Sequence, residues 1–266
     1  MPGLVAGVQT YPMEVAGMHF VKVEIGGGIA TVALSRGKVN AINQTVVDEL
    51  RQCLETLAVD RDLKAVVLTG RGKFFSFGFD VTEFLSYTKV EFAGYLTAFT
   101  DLYTYLFTYP KPVVAALNGH TIAGGCMLAL ACDYRLMVTG KSKISLNEIT
   151  FGASVFAGST EMLRFWIGSA KATDVLFSGA MYSAEEAMAL GLVQAISNED
   201  QLIDRARRIA ADMASKPAQA FTGIKSLLRK PVADEMVRRE RESIEAFVEI
   251  WYTEETWASI QKIKIY

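Results

Sequence analysis

The stretch that decides the fold is Val113-Val114-Ala115-Ala116-Leu117-Asn118-Gly119-His120-Thr121-Ile122-Ala123-Gly124-Gly125-Cys126-Met127-Leu128-Ala129-Leu130-Ala131. Val113–Leu117 is a short, unbroken apolar run, the pattern of a strand buried on both faces of a parallel sheet. Gly124–Ala131 opens as a helix, and Asp133–Val138 returns as a strand. A strand-to-helix junction leaves backbone N–H groups unpaired and sums the helix dipole on them. Glycine lets a ligand approach that backbone closely. The Ala123-Gly124-Gly125-Cys126-Met127 junction therefore suits an anion or a polarised carbonyl oxygen. Close helix–strand packing alone would also ask for these glycines.

Upstream, Ala65–Leu68 is a second buried strand, ending in Thr69-Gly70. Phe75-Ser76-Phe77-Gly78-Phe79-Asp80 follows, where Gly78 permits a sharp turn that exposes the N–H of Phe79. Phe74, Phe75, Phe77 and Phe79 belong to the core or shape an apolar groove. Val21–Glu24 and Ile29–Leu34 form a hairpin around Gly26-Gly27-Gly28. Val46, Val47, Leu50, Cys53, Leu54 and Leu57 share one helical face. Residues 89–108 read as an aromatic-rich helix that stops before Pro110 and Pro112.

From about Ser159 the chain turns mostly helical. Leu202, Ile203, Ala206, Ile209, Ala210 and Met213 mark one stripe, and Ile244, Phe247, Val248 and Trp251 another. The class is α/β: repeated strand–helix units followed by a helical C-terminal region. Residues 1–17 read as a loosely attached leader, 18–198 as the core and 199–266 as the helical region. The late stripes carry more apolar surface than a small lobe buries alone, so they are expected to pack against a neighbouring subunit.

Composition narrows the function. The 266 residues, 51% hydrophobic, suffice for one sizeable core. A net charge of −2 provides no basic field for nucleic acid. Three cysteines, Cys53, Cys126 and Cys132, lack metal-like spacing, and their odd number argues for a reduced, cytoplasmic setting. The only histidines, His19 and His120, are too few and too far apart for a two-histidine metal motif, so no metal is expected. Residues 1–19 contain no Lys or Arg, unlike a secretory or transit signal. Asn118, His120 and the glycines interrupt Val113–Cys132, so it reads as buried strand and helix rather than a membrane span. The glycine run at 26–28 lacks the spacing of a dinucleotide fingerprint, and no P-loop or nucleophile elbow is present.

Four segments in order carry a resemblance. They are Arg36-Gly37-Lys38-Val39-Asn40-Ala41-Ile42-Asn43, Phe75–Asp80, Asn118-Gly119 through Cys126, and Ser183-Ala184-Glu185-Glu186-Ala187 with Gly191-Leu192-Val193. Together they resemble the crotonase (enoyl-CoA hydratase/isomerase) superfamily from about residue 20 to 230. The resemblance implies stacked ββα units, a helical C-terminal trimerisation region, and a homotrimer or a hexamer built as a dimer of trimers. It implies an acyl-CoA thioester substrate, with coenzyme A entering as part of that substrate and no separate cofactor. The N–H groups of Phe79 and Gly124 fall on its oxyanion-hole positions. Ser76, Phe77, Gly78 and Asp80 fall where the coenzyme A and thioester lie, with Lys38 and Val39 flanking them; Lys38 or Lys73 meets a phosphate or is simply solvated.

Hydratases of this superfamily position a water with two glutamates, which fall at Met127 and Glu148 here. Methionine holds no polar water and offers an apolar, polarizable surface instead. Ser145-Leu146-Asn147-Glu148 with the Ala123–Cys126 turn resembles the mitochondrial-type Δ3,Δ2-enoyl-CoA isomerases, which rely on one glutamate. Other isomerase relatives carry their acid near Phe156, which cannot ionise. The resemblance thus implies a proton shuttle on Glu148, with Asn147 orienting the glutamate or substrate, or serving as a turn residue. A hydratase or dehydratase, a decarboxylase, a thioester hydrolase and a non-catalytic coenzyme A-binding scaffold are the competing readings. Phe77, Phe79, Met127, Phe151 and Phe156 are candidate pocket walls or core residues.

Overall fold

A computed structural model of the chain describes residues 10–13 and 17–263. β1 (Tyr11–Met13), β2 (Val21–Gly26) and β3 (Ile29–Leu34) pair antiparallel in sequence. Gly27 and Gly28, at φ +59° and +74°, make the two-residue turn between β2 and β3. Most of the expected leader lies outside the described residues, but Tyr11–Met13 adds an edge strand rather than hanging free. α1 (Gln44–Val59) follows, its N-terminus capped by the Asn43 side chain accepting from the Val46 N–H.

Three strand–strand–helix units then repeat. The first is β4 (Ala65–Gly70), β5 (Phe74–Ser76), α2 (Val81–Phe84) and α3 (Lys89–Phe107). The second is β6 (Val113–Leu117), β7 (His120–Ile122) and α4 (Gly124–Ala131). The third is β8 (Tyr134–Val138), β9 (Ile144–Ser145) and α5 (Ala157–Ser178), which kinks at Gly168. The chain continues through α6 (Ala184–Leu190), β10 (Ala195–Ser197), α7 (Leu202–Ala214), α8 (Ala218–Trp251) and α9 (Glu254–Ile260).

The first strand of each unit joins a seven-stranded sheet of order β1-β2-β3-β4-β6-β8-β10. The second joins a small parallel sheet of order β5-β7-β9. Side chains alternate across the larger sheet as a period of two requires. Val66, Leu68, Val113, Ala115 and Leu117 face the main core, while Ala65, Val67, Val114 and Ala116 face a second layer closed by Leu202, Ala206 and Ala210 of α7. Burial on both faces is why these strands are apolar throughout.

The region from 199 onward is therefore not set apart from the core. α7 covers the sheet, and α8 packs on α3 and α5. The stripe Ile244, Phe247, Val248 and Trp251, expected to meet another subunit, is buried within this chain. The surface α8 leaves exposed is a different one, carrying Ile224, Leu227, Leu228 and Val237. No helix among the described residues is long and apolar enough to cross a membrane.

Candidate active site

The three parallel strands of the small sheet end side by side. Ser76 pairs with Thr121, and Ile122 with Ser145. Each strand is followed within three residues by one candidate: Phe79, Gly124 and Glu148. Carboxyl ends of parallel strands are where α/β proteins bind ligands.

The first turn is held by the segment before α1. Phe77 N–H donates to Val39 O at 3.0 Å, Asp80 N–H to Ile42 O at 3.0 Å, and Ile42 N–H to Gly78 O at 2.8 Å. Gly78 N–H donates to the Ser76 hydroxyl at 3.1 Å, and that hydroxyl donates to Asn40 O at 2.8 Å. Of the N–H groups from 77 to 80, only that of Phe79 has no acceptor among the described residues. The Phe79 ring is locked by edge-on contact with Phe99 at 4.9 Å and Tyr95 at 5.3 Å.

In the second turn, Ala123 N–H donates to Ser145 O at 2.9 Å, and Ala123 O accepts from Met127 N–H at 3.0 Å, closing the first turn of α4. The Gly124 N–H has no acceptor among the described residues. Ala123 sits at φ +49°, ψ −120°, a region costly for any residue with a Cβ. The two turns abut. A Cβ on Gly78 would lie 3.2 Å from the Gly124 nitrogen, and one on Gly124 would lie 2.9 Å from Phe79 Cε1. Glycine at both positions is a requirement of this close approach, added at Gly78 to its φ of +95°.

Glu148 starts a single 3₁₀ turn, Glu148–Phe151, closed by Gly152 at φ +85° and tied to α9 where Thr256 Oγ1 donates to Gly152 O at 2.9 Å. Its side chain is 4% exposed, and neither carboxyl oxygen has a partner among the described residues. Burial pushes its pKa up to about 8, against a smaller opposing pull from its own backbone N–H. It faces a cavity of about 260 Å³ walled by Phe77, Phe79, Val81, Ile122 and Ala123 on the turn side. Phe151, Phe156, Phe247, Trp251 and Ile263 close it opposite. Asn147 and Thr150 complete the lining, so Glu148 is the one ionisable residue among the described residues there.

Several expected site residues do something else. Met127, on α4, is 1% exposed and packed into the main core, and it does not line the cavity. Asp80 is bound internally: its carboxylate takes an ion pair from Arg36 at 2.6 Å and caps α2 by accepting from Glu83 N–H at 3.1 Å. Ser76 is fully buried and spends its hydroxyl on the turn. Phe75 is core, whereas Phe77, Phe79, Phe151 and Phe156 are cavity walls. Lys38 and Lys73 are exposed, and Val39 is buried beside the first turn. His120 lies on β7 against Phe74, 5.1 Å between ring centroids, away from the cavity lining.

Sequence reading missed Phe247, Trp251 and Ile263 as site residues. The stripe containing the first two was visible; its destination was not, since it depends on α8 folding back across the chain.

Two free backbone donors and one dry carboxyl, set on stacked ββα units, define a protein of the crotonase class. A family model described as enoyl-CoA hydratase/isomerase matches residues 24–263, and the chain belongs to that family of enzymes. It is 31% identical over 229 residues to mouse "Enoyl-CoA delta isomerase 1, mitochondrial", spanning 85% of this chain and 79% of that protein. It is 30% identical over 213 residues to a "Probable enoyl-CoA hydratase" of Bacillus subtilis, spanning 79% and 82%. The crystal structure of human mitochondrial delta3-delta2-enoyl-CoA isomerase superposes with a TM-score of 0.88 at 29% identity, covering 91% of this chain and 96% of that one. Relatives named for hydration and for isomerisation thus lie at nearly equal identity.

Proposed function

We propose that the protein is a Δ3,Δ2-enoyl-CoA isomerase that moves the double bond by a proton shuttle on Glu148. The observation that carries this reading is the single buried carboxyl, with no second acid or other charge among the described residues that line the cavity. Hydration by the two-glutamate arrangement needs a second acid to hold and activate the water, and none lines the cavity among the described residues.

In the proposed reaction the thioester oxygen accepts hydrogen bonds from the Phe79 and Gly124 N–H groups. They stabilise the charge that develops as the C2 proton leaves; loss of one such donor costs about 3–4 kcal/mol in known cases. Glu148 takes that proton and, now neutral, returns it at C4. A dry site favours the neutral carboxyl and keeps water from competing at C3. At about 260 Å³ the cavity falls below the usual range of ~300–1,000 Å³ for whole ligands. It therefore accommodates the acyl group, and coenzyme A lies outside, along the first turn and the Lys38–Val39 segment. Asn147 belongs to the acyl side in this reading. We further propose that the chain assembles as a homotrimer through the apolar surface of α8 left exposed at Ile224, Leu227 and Leu228.

Glu148→Gln tests the mechanism. Conversion of 3-hexenoyl-CoA to 2-hexenoyl-CoA should fall about a hundred- to ten-thousandfold, the usual worth of a general acid–base group, while hexanoyl-CoA still binds. Near-normal isomerisation by this variant would refute the shuttle. Hydration is the second reading, supported by the hydratase-named relatives. It predicts rapid 3-hydroxyacyl-CoA formation from 2-hexenoyl-CoA by the wild-type protein.

A further inference from the structure

Six buried side-chain polar atoms have no hydrogen-bond partner among the described residues, and four of them belong to Asn147, Glu148 and Trp251. All three residues line the one cavity. Glu148 has its place in the proposed shuttle. The Trp251 indole N–H and the Asn147 carboxamide oxygen have none. They are a buried donor and a buried acceptor on two residues that line a pocket of phenylalanines.

Packing does not explain the indole. Trp251 is 1% exposed and wedged between Phe92, at 4.8 Å between centroids, and Phe247, at 5.6 Å. A phenylalanine there would fill the aromatic cluster without burying an N–H, and a buried donor left unpaired is a net cost. Trp166 shows the ordinary solution in the same chain: its Nε1–H donates to Leu130 O at 2.8 Å. A cavity wall that keeps an unsatisfied donor discriminates for a ligand that satisfies it. Such sites select between an oxygen-bearing molecule and its hydrocarbon analogue, a distinction that apolar walls alone do not make.

We infer that Trp251 is a specificity-determining residue whose indole N–H donates to an oxygen carried on the acyl chain. The preferred ligand is then an acyl thioester bearing a keto or hydroxyl oxygen beyond the reacting carbons, rather than a plain hydrocarbon chain. A hydroxyl additionally offers its proton to Asn147 Oδ1. This rests on the acyl-thioester reading of the cavity and not on which reaction Glu148 performs. The size is suitable: a 150 Å³ cavity holds benzene, and about 260 Å³ admits a short oxygenated chain.

The test is binding, without turnover, of four saturated thioesters: hexanoyl-, 5-oxohexanoyl-, 5-hydroxyhexanoyl- and 6-hydroxyhexanoyl-CoA. Calorimetry on wild type should show at least one oxygenated thioester binding about tenfold more tightly than hexanoyl-CoA, the worth of one neutral hydrogen bond. In Trp251→Phe the oxygenated thioester and hexanoyl-CoA should bind equally, whatever the variant's absolute affinity for hexanoyl-CoA; a general structural defect would weaken both without abolishing the preference. In ¹⁵N-labelled wild-type protein, the Trp251 indole resonance should move downfield with the preferred thioester and not with hexanoyl-CoA. Equal affinities in wild type, or a preference that survives Trp251→Phe, overturn the inference while leaving the acyl-thioester reading standing. Failure of all four to bind overturns both.

Discussion

At the scale of single residues, Glu148 is a buried carboxyl with no hydrogen-bond partner among the described residues. Burial raises its pKa from 4.5 to about 8. The consequence for stability has a definite sign. The folded state binds this proton more tightly than the unfolded state does, so the contribution is fully present below pH 4.5. It is lost as pH rises through about 8. Each pKa unit is worth about 1.4 kcal/mol, so several kcal/mol are at stake. Glutamine cannot ionise. The Tm advantage of Glu148→Gln over wild type, followed by differential scanning calorimetry, should therefore grow from pH 5 to pH 9. A pH-independent difference would mean that Glu148 titrates as an ordinary surface acid. Gly78 and Gly124 were legible as glycines at turns. That each is needed because the other turn lies against it was not, since the contact joins residues about fifty positions apart.

At the scale of elements, the position of α8 decides the shape of the cavity, because Phe247 and Trp251 close one side of it. α8 is anchored by charges rather than by its apolar stripe alone. Lys225 Nζ pairs with Asp133 Oδ2 at 2.8 Å and Arg229 with Asp133 Oδ1 at 3.1 Å, all three side chains under a tenth exposed. Asp133 also accepts from Val113 N–H at 2.8 Å, so one carboxylate joins α8 to the start of β6. Burial lowers the pKa of both Lys225 and Arg229, with Asp133 opposing that shift. Removing the shared anion leaves two buried cations, a loss that typically costs about 3–5 kcal/mol. Asp133→Asn should lower unfolding stability by that amount in urea titration. A change under about 1 kcal/mol would show that the helix is held by packing alone. None of this was legible from Lys225 and Arg229 in sequence, where charges on a helix read as a solvated face.

At the scale of the whole molecule, three copies of one ββα unit lay the three candidate groups, two backbone and one side-chain, along one edge of a three-stranded sheet. The C-terminal helices then cover the opening from the other side. α8 still exposes Ile224, Leu227, Leu228 and Val237, with Leu227 80% exposed. An apolar patch of this kind is characteristic of an association surface. Light scattering at micromolar concentration should give three times 29.2 kDa, or six times for paired trimers. Leu227→Glu with Leu228→Glu should dissociate the assembly without unfolding the chain. A monomeric wild-type mass would refute the trimer.

The long strands, the major helices, the class of fold and Glu148 as the candidate acid were determined by the sequence itself. Their signals are local: apolar runs, helical period, glycine turns and four short segments in order. What only the tertiary structure decided lies in β5, β7 and β9, which are two or three residues each and too short to carry any period. Their parallel alignment sets Phe79, Gly124 and Glu148 side by side. The fold also sends Met127 into the core and brings Trp251, more than a hundred residues downstream, onto the cavity wall. Which face of a helix meets a site is fixed by packing between elements distant in sequence, and no local pattern of residue types encodes that meeting.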